Sequence, residues 1–177
     1  MKHKAVYLVF AAILLAACSD GPVSNTGLDI HVDANGSVFL GAQQAQPVEN
    51  LTSLVAELGP PSRTKTVSPW TNQVWDRLGL MTVHGPDGVL VRMNLKLRGA
   101  LPDRDANPSH RFTGSLVTPR GAVQFDPTYV ETDGLGFQPY MGDRNAIVQT
   151  IGGTEVMIGG PALQVGRPDL VSITLNR

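Results

Sequence analysis

The chain has 177 residues, with 14 basic and 15 acidic side chains, and this balance argues against a nucleic-acid-binding protein. Aromatic residues make up 6% of the chain, while 19 glycines and 13 prolines predict frequent turns rather than long helices. The length suits one domain of ordinary size, or two small ones that share a core.

The first segment has the features of a secretory signal. Two lysines precede an uncharged apolar run over 5–17, which is too short to span a membrane. The run ends in "LAAC" at 15–18, which resembles the lipobox of bacterial lipoproteins, and Cys18 is the sole cysteine. The resemblance implies that residues 1–17 are removed and that Cys18 is lipidated and holds the protein on a membrane. The alternative is a secreted protein whose signal is cleaved after Ala17, with Cys18 left as a free or disulfide-bonded thiol.

Residues 18–27 are small and polar, which predicts a flexible tether. Ser19 follows Cys18, and similarity to enterobacterial sorting signals favours the outer membrane, with the protein facing the periplasm. Removal of 1–17 leaves 12 basic residues against 15 acidic ones, a net charge of −3. This charge disfavours electrostatic adhesion to an anionic lipid surface.

A first subdomain is predicted over 28–98. Alternating apolar residues over 28–32, a turn at 34–36 with Gly36 free to take a positive φ, and a second run over 37–40 predict a hairpin. A helix follows, with Pro47 in its first turn and Gly59 at its end. Its apolar stripe has helical spacing: Val48, Leu51, Leu54, Val55 and Leu58.

The segment 73–98 predicts a meander of strands. Its last strand alternates between an apolar face (Val91, Met93, Leu95, Leu97) and a polar one (Arg92, Asn94, Lys96). This alternation is typical of an antiparallel sheet with one face buried by a helix and one face in water.

The aperiodic stretch 99–109 predicts a linker, and 110–177 predicts a mainly β subdomain. Strand patterns recur there over 146–151, 154–158 and 170–175, separated by glycine turns. The predicted fold class is α+β, rich in antiparallel sheet, with one main helix. The order of elements also suggests two diverged repeats of a hairpin, an optional helix and a meander.

The motifs "LGPPSR" at 58–63 and "VWDRLG" at 74–79 resemble an uncharacterised family of small bacterial α+β domains, over residues 28–98. That resemblance implies a fold but no activity. The helix followed by Leu-Gly-x-Pro and a tryptophan-containing strand is also distantly similar to the SmpA/OmlA lipoproteins of outer-membrane β-barrel assembly and to β-lactamase-inhibitor folds. These are binding modules, and this chain departs from them in its leading hairpin and its second half.

Motifs of catalysis are missing from the sequence. It contains no Gly-x-Ser-x-Gly elbow, Ser-x-x-Lys or His-Glu-x-x-His, and lipidation would consume its only thiol. A calcium loop beginning at 103 is disfavoured because Pro108 stands where glycine is needed. Asp29, His31 and Asp33 share one face of a strand and could in principle hold a metal ion. We interpret this face as the solvent-exposed, wet face of the strand instead. We therefore predict that the protein is not an enzyme and holds no cofactor or metal ion. A catalytic pair of carboxylates that lie far apart in the sequence stays an open alternative.

Several other polar and aromatic residues allow a structural interpretation as well as a functional one. His84 and His110 are expected at strand ends or in turns, as surface or turn residues rather than bases, and Trp75 is expected in the core. Trp70 either anchors a partner or covers the end of a sheet, and Arg63 either pairs with Asp76 or faces a partner.

A second group of aromatic residues lies in the loop over 126–144. Tyr129 and Tyr140 are candidate partner contacts, and Phe137 is expected on the core. The predicted partner-binding residues are therefore Arg63, Trp70, Tyr129 and Tyr140.

The expected function is a periplasm-facing lipoprotein that binds another protein without catalysis. A specific form is an immunity protein against a toxin secreted by a type VI system. The alternatives are a structural or assembly lipoprotein of the cell envelope and, third, a small-ligand carrier or an unrecognised enzyme.

Overall fold

The computed structural model describes residues 27–41, 46–98, 101, 104–125, 131–141, 143, 145–160 and 167–175. Strands account for 47% of the structure and helices for 10%, so the protein is mostly β and the predicted α+β class is wrong. The reason is that the helical pattern yields a single helix of eight residues, α1 (Leu51–Leu58), while glycine turns divide the chain into many short strands.

Twelve strands lie in the described residues: β1 (Ile30–Val32), β2 (Val38–Leu40), β3 (Arg63–Val67), β4 (Trp70–Trp75), β5 (Leu80–His84), β6 (Leu90–Lys96), β7 (Ser115–Thr118), β8 (Gly121–Gln124), β9 (Gln138–Pro139), β10 (Ala146–Ile151), β11 (Thr154–Gly159) and β12 (Leu170–Leu175). The larger sheet is antiparallel throughout, in the order β3-β4-β5-β6-β12-β11-β10-β9. The smaller sheet has the order β2-β1-β7-β8, with β1 and β7 parallel. Short 3₁₀ helices span Asp76–Leu78 and Arg104–Ala106.

Strands from both sides of the predicted linker pair with each other in both sheets. Leu95 of β6 lies opposite Val171 of β12, and Ile30 of β1 lies opposite Leu116 of β7. Each side contributes a hairpin to the smaller sheet and four strands to the larger one. Because β6 and β12 are antiparallel while β1 and β7 are parallel, a single twofold axis cannot relate the two sides.

The main core fills the space between the two sheets and α1. Leu95, Val171 and Ile158 form one inward row of the larger sheet, and all three are fully buried. Trp75 extends this core as predicted, and its indole Nε1 donates a hydrogen bond of 3.0 Å to the Gly59 carbonyl. Burial of such apolar side chains contributes about 1.5–3 kcal/mol each.

The helix begins three residues later than the apolar stripe predicts. Asn50 is its N-cap: the Asn50 side chain accepts from the Ser53 N–H at 3.0 Å, and the Ser53 hydroxyl accepts from the Asn50 N–H at 3.2 Å. Val48 instead donates its N–H to a carbonyl of β2 and is buried there. Gly59 ends the helix with φ 73°, as predicted.

The faces of β6 differ from the predicted alternation. A register shift at Val83/His84 places Leu90 opposite His84, so Leu90 is fully buried while Val91 is only half-buried. The outer face is also partly covered, because Leu101 and Ala106 pack there against Val74 and Met81. The predicted wet face is therefore wrong at Asn94, which is 7% exposed.

Two glycine turns hold the sheets together at one end. Gly36, with φ 83°, turns β1 into β2 as predicted, and a Cβ there would stand 2.5 Å from the Ile151 carbonyl oxygen. Gly152, with φ 52°, turns β10 into β11 and lies against Asn35. The Thr154 hydroxyl donates to the Gly36 carbonyl at 2.6 Å and fixes this contact. Both turns need glycine because a side chain would meet backbone.

Candidate functional site

Arg63 is the centre of an intramolecular cluster on the outer face of the larger sheet. Its guanidinium donates two bonds of 2.9 Å to the Asp76 carboxylate, in the bidentate geometry that favours Arg–carboxylate pairs. It also donates to the carbonyls of Asp105 and Asn107, both at 2.9 Å. Asp76 in turn accepts the Ser109 N–H at 2.7 Å.

This cluster attaches the segment 105–109 to the sheet. The Arg63 hydrogen bonds, and secondarily the Ser109 N–H, lower the pKa of Asp76 from 3.8 to about 2 against the opposing effect of desolvation. Of the two open interpretations of Arg63, the structure supports pairing with Asp76. Its donors are engaged inside the chain, which leaves a partner little to bind.

Trp70 lies in the most exposed apolar part of the larger sheet. It stands directly opposite Val67 across the β3–β4 hairpin, and the two side chains are 42% and 47% exposed. The Trp70 ring lies beside Gly85, where a Cβ would stand 3.8 Å from Cζ3. We call Val67, the exposed Pro69 and Trp70 the β3–β4 corner. Within the described residues, β3 is an edge strand with no strand on its outer side.

Tyr140 lies far from the β3–β4 corner. It follows β9 at the other edge of the sheet and is 40% exposed, and its N–H donates to the Ala146 carbonyl at 2.9 Å. β4 and β9 are six strand positions apart, which is about 29 Å at roughly 4.8 Å per position. The pairing rows also place Trp70 and Tyr140 at opposite ends of the strands. Tyr129 and Cys18 lie outside the described residues.

His84 lies at the end of β5, as predicted, but it is buried and not at the surface. Its Nδ1 is 3.2 Å from the Gly88 carbonyl and its Nε2 is 2.8 Å from the Thr82 hydroxyl. Because a carbonyl can only accept, Nδ1 carries the proton and Nε2 accepts from Thr82. Burial lowers the pKa of His84, against the opposing effect of the Gly88 carbonyl, and this favours the neutral ring. His110 is exposed, as predicted.

The three residues of the predicted wet face have separate roles. Asp29 accepts from the Ser115 hydroxyl at 2.5 Å, and Asp33 accepts the N–H groups of Asn35 and Ser37 in the β1–β2 turn. His31 is half-buried on the outer face of the smaller sheet. Across the described ranges, no three histidine, cysteine or acidic side chains gather where they could hold a metal ion.

No sequence motif marks Gln149. Gln149 is 8% exposed, lies between Ile147 and Ile151 in β10, and its Oε1 has no hydrogen-bond partner. A polar residue at an inward position of an otherwise apolar strand was the available signal. Phe137, as predicted, packs against the main core.

The two-sheet architecture and the exposed edge define a small β-rich domain with an apolar corner on one sheet. The chain belongs to a family described as a domain of unknown function, DUF7738, which matches residues 29–132. This match covers β1–β8 and ends before β9. Neither the curated proteins nor the solved structures gave a match. No helix in the described part of the chain is long and apolar enough to cross a membrane.

Proposed function

We propose that this protein is a lipid-anchored, periplasm-facing module that binds another protein and acts by contact rather than by catalysis. Its contact surface is the β3–β4 corner. The observation that carries the proposal is the Val67–Trp70 pair, two large apolar side chains held opposite each other and nearly half exposed. Tryptophan is among the side chains that dominate binding energy at protein interfaces.

The position of the corner strengthens this assignment. β3 lies at the edge of its sheet, and four of its five residues are exposed. Edge strands offer unpaired backbone groups to other chains, and charged side chains often limit uncontrolled pairing. Arg63 and Lys65 supply that charge on β3, while Val67 at its end does not.

The predicted anchor gives the corner a limited reach. Lipidation at Cys18 with a flexible tether over 18–27 would place ten residues between the membrane and the fold. A small-residue tether of that length has an end-to-end distance of about 17 Å. The partner is therefore a protein at the membrane surface or one that approaches it from the periplasm.

Site-specific photo-crosslinking in the native envelope tests the proposal. A photoreactive amino acid at position 70 should give one dominant adduct, and the same probe at position 140 should not. The partner is then identified from the adduct and purified. Its affinity for variants of this chain is measured by titration. Trp70→Ala should weaken binding by about 2 kcal/mol or more, roughly thirtyfold. Tyr140→Ala, a similarly exposed aromatic at the opposite corner, is the matched control and should bind like wild type.

Two results would contradict the proposal. One is an unchanged affinity in a Trp70→Ala variant that melts at the wild-type temperature, since the ring is then exposed without binding. The other is equal crosslinking at both positions. A captured toxin would identify the immunity form of the function, and a captured assembly component the envelope form.

A further inference from the structure

β3 forms one edge of the larger sheet, and a hydrogen bond at its start shows which way its backbone faces. All five residues of β3 lie opposite residues of β4. The Ser62 N–H donates to the Val74 carbonyl at 2.7 Å, so the backbone of Val74 faces β3. Because Val74 lies opposite Arg63, these two residues form a hydrogen-bonded pair of the antiparallel ladder.

Alternation along the strand assigns the other residues of β3. Lys65 and Val67 face β4 as Arg63 does, while Thr64 and Thr66 direct their backbone N–H and C=O groups away from β4. Both threonines are exposed, and within the described residues no strand lies on that side of β3. Two backbone donors and two backbone acceptors are therefore open to another extended chain.

The side chains beside this open edge determine what such a chain would meet. Lys65, Val67 and Trp70 lie on the outer face of the sheet, the face on which Val74 packs. A strand added next to β3 places one residue opposite Val67 and another opposite Lys65 on that same face. Apolar pairs and pairs of opposite charge at such positions stabilise a sheet.

A second copy of this chain fits the edge poorly. If β3 pairs antiparallel with itself so that all of the open backbone groups are used, Lys65 of one copy lies opposite Lys65 of the other. Like charges at directly opposite positions destabilise a sheet, whereas an acidic residue opposite Lys65 has the reverse effect. An aliphatic residue opposite Val67 would extend the apolar row formed by Val67 and Trp70.

From this arrangement we propose that β3 binds an extended segment of the partner protein as an added antiparallel strand. The segment carries an aliphatic residue opposite Val67 and, two positions later, Asp or Glu opposite Lys65. Antiparallel pairing matches every other pair of strands in this sheet and is slightly more stable per residue than parallel pairing. Addition of a strand to a sheet edge is a known mode of recognition. This inference rests on the proposed function, because it states how the partner occupies the β3–β4 corner.

Amide hydrogen exchange in the detergent-solubilised full chain tests the open edge. The Thr64 and Thr66 amides should exchange faster than those of Lys65 and Val67, which the ladder protects. The probe is a macrocyclic β-hairpin peptide whose free strand reads Val-Thr-Glu-Thr. At about ten times its dissociation constant, the probe should slow exchange at both threonines roughly tenfold. Slow exchange at both threonines without the probe would show that the edge is already covered and would overturn the added strand.

Backbone changes separate strand pairing from side-chain contact. Thr66→Pro removes an outward N–H without removing a bond to β4, and proline is tolerated at such edge positions. It should weaken binding of the hairpin about tenfold, and so should N-methylation of the two probe threonines against the unchanged protein. Lysine in place of the probe glutamate should weaken binding about threefold. Thr150→Pro is the matched control, since Thr150 is exposed at the opposite edge of the sheet, and it should bind like wild type.

Several results would overturn the added strand. They are equal binding of the N-methylated probe, unchanged affinity in Thr66→Pro, and no binding at millimolar probe. A dimer of the full chain that Thr66→Pro dissociates would replace the partner with a second copy.

The native partner captured at position 70 separates this inference from the proposed function. If Trp70→Ala weakens that partner and Thr66→Pro does not, the added strand is wrong and the β3–β4 corner is still the contact surface. If position 70 gives no adduct while the hairpin binds and Thr66→Pro weakens it, the proposed function fails and the edge is still a strand-binding site.

Discussion

The Asp76→Asn variant tests whether the Arg63 cluster stabilises the fold. Asparagine keeps the size of the side chain and one acceptor, but it removes the negative charge that Arg63 contacts at 2.9 Å. The pKa of Asp76 falls from 3.8 in the unfolded chain to about 2 in the native protein. At 1.36 kcal/mol per unit this shift corresponds to about 2.4 kcal/mol. Because the Arg63 side chain is 44% exposed and solvent screens the pair, we expect about 1 kcal/mol.

The stabilising contribution of the Asp76 carboxylate depends on pH in a definite direction. A carboxylate with a lowered native pKa stabilises the fold above its unfolded pKa, and that contribution is lost as the pH falls. The difference in unfolding free energy between wild type and Asp76→Asn should therefore be full above about pH 4 and vanish near pH 2. Urea denaturation of a chain lacking residues 1–18, at several pH values, measures it.

Asp133→Asn is the matched control, since Asp133 is exposed on the loop before β9. It should change the free energy of unfolding by less than about 0.5 kcal/mol at any of these pH values. If Asp76→Asn and wild type respond to acid in parallel, the carboxylate does not stabilise the native state and the reasoning fails.

Three further outcomes are expected. Leu54→Ala, which empties a fully buried position of α1, should cost about 2–5 kcal/mol in chemical denaturation, and a loss below about 1 kcal/mol would show that the helix is not docked on the core. Because burial lowers the pKa of His84, stability should fall as the pH drops below about 6.5, and a His84→Gln variant measured over the same range should lack that component. Cys18→Ala should leave the protein unprocessed as a lipoprotein and release it from the membrane fraction, and unchanged sedimentation would contradict lipidation.

Local patterns predicted the parts of the fold that local chemistry controls. The β1–β2 hairpin forms where Gly36 was expected to turn the chain, and β10, β11 and β12 follow the alternation seen in the sequence. The helix stripe was also found, but its start was placed too early. Val48 has the helical spacing, yet it is held by β2, and the Asn50–Ser53 capping box determines the first turn.

Such local patterns could not predict which strands far apart in the sequence pair with each other. Nothing near Leu95 in the sequence indicates that Val171 will lie opposite it. The shift at Val83/His84 leaves Val91 only half-buried, although it was expected on the apolar face with Met93 and Leu95. His84 was expected at a strand end or in a turn; it does end β5, but the local sequence did not indicate its burial opposite Leu90.

The candidate sites show the same limit. Trp70 was singled out because its polar surroundings in the sequence predicted an exposed loop; it is exposed, but it begins β4 instead of lying in a loop. Arg63 was left with two interpretations, and only the approach of Ser109 and the 105–107 carbonyls decides between them.

The position of β12 has a consequence for how the molecule is assembled. It follows every other described strand in the chain, yet it lies at the centre of the larger sheet, between β6 and β11. Until that segment is available, the strands β3–β6 and β9–β11 are two separate sheets with two bare edges. A chain synthesised from its N-terminus delivers this strand after the other described strands. Synthesis therefore leaves a period in which a chaperone, or a neighbouring copy, can occupy the place that β12 will take.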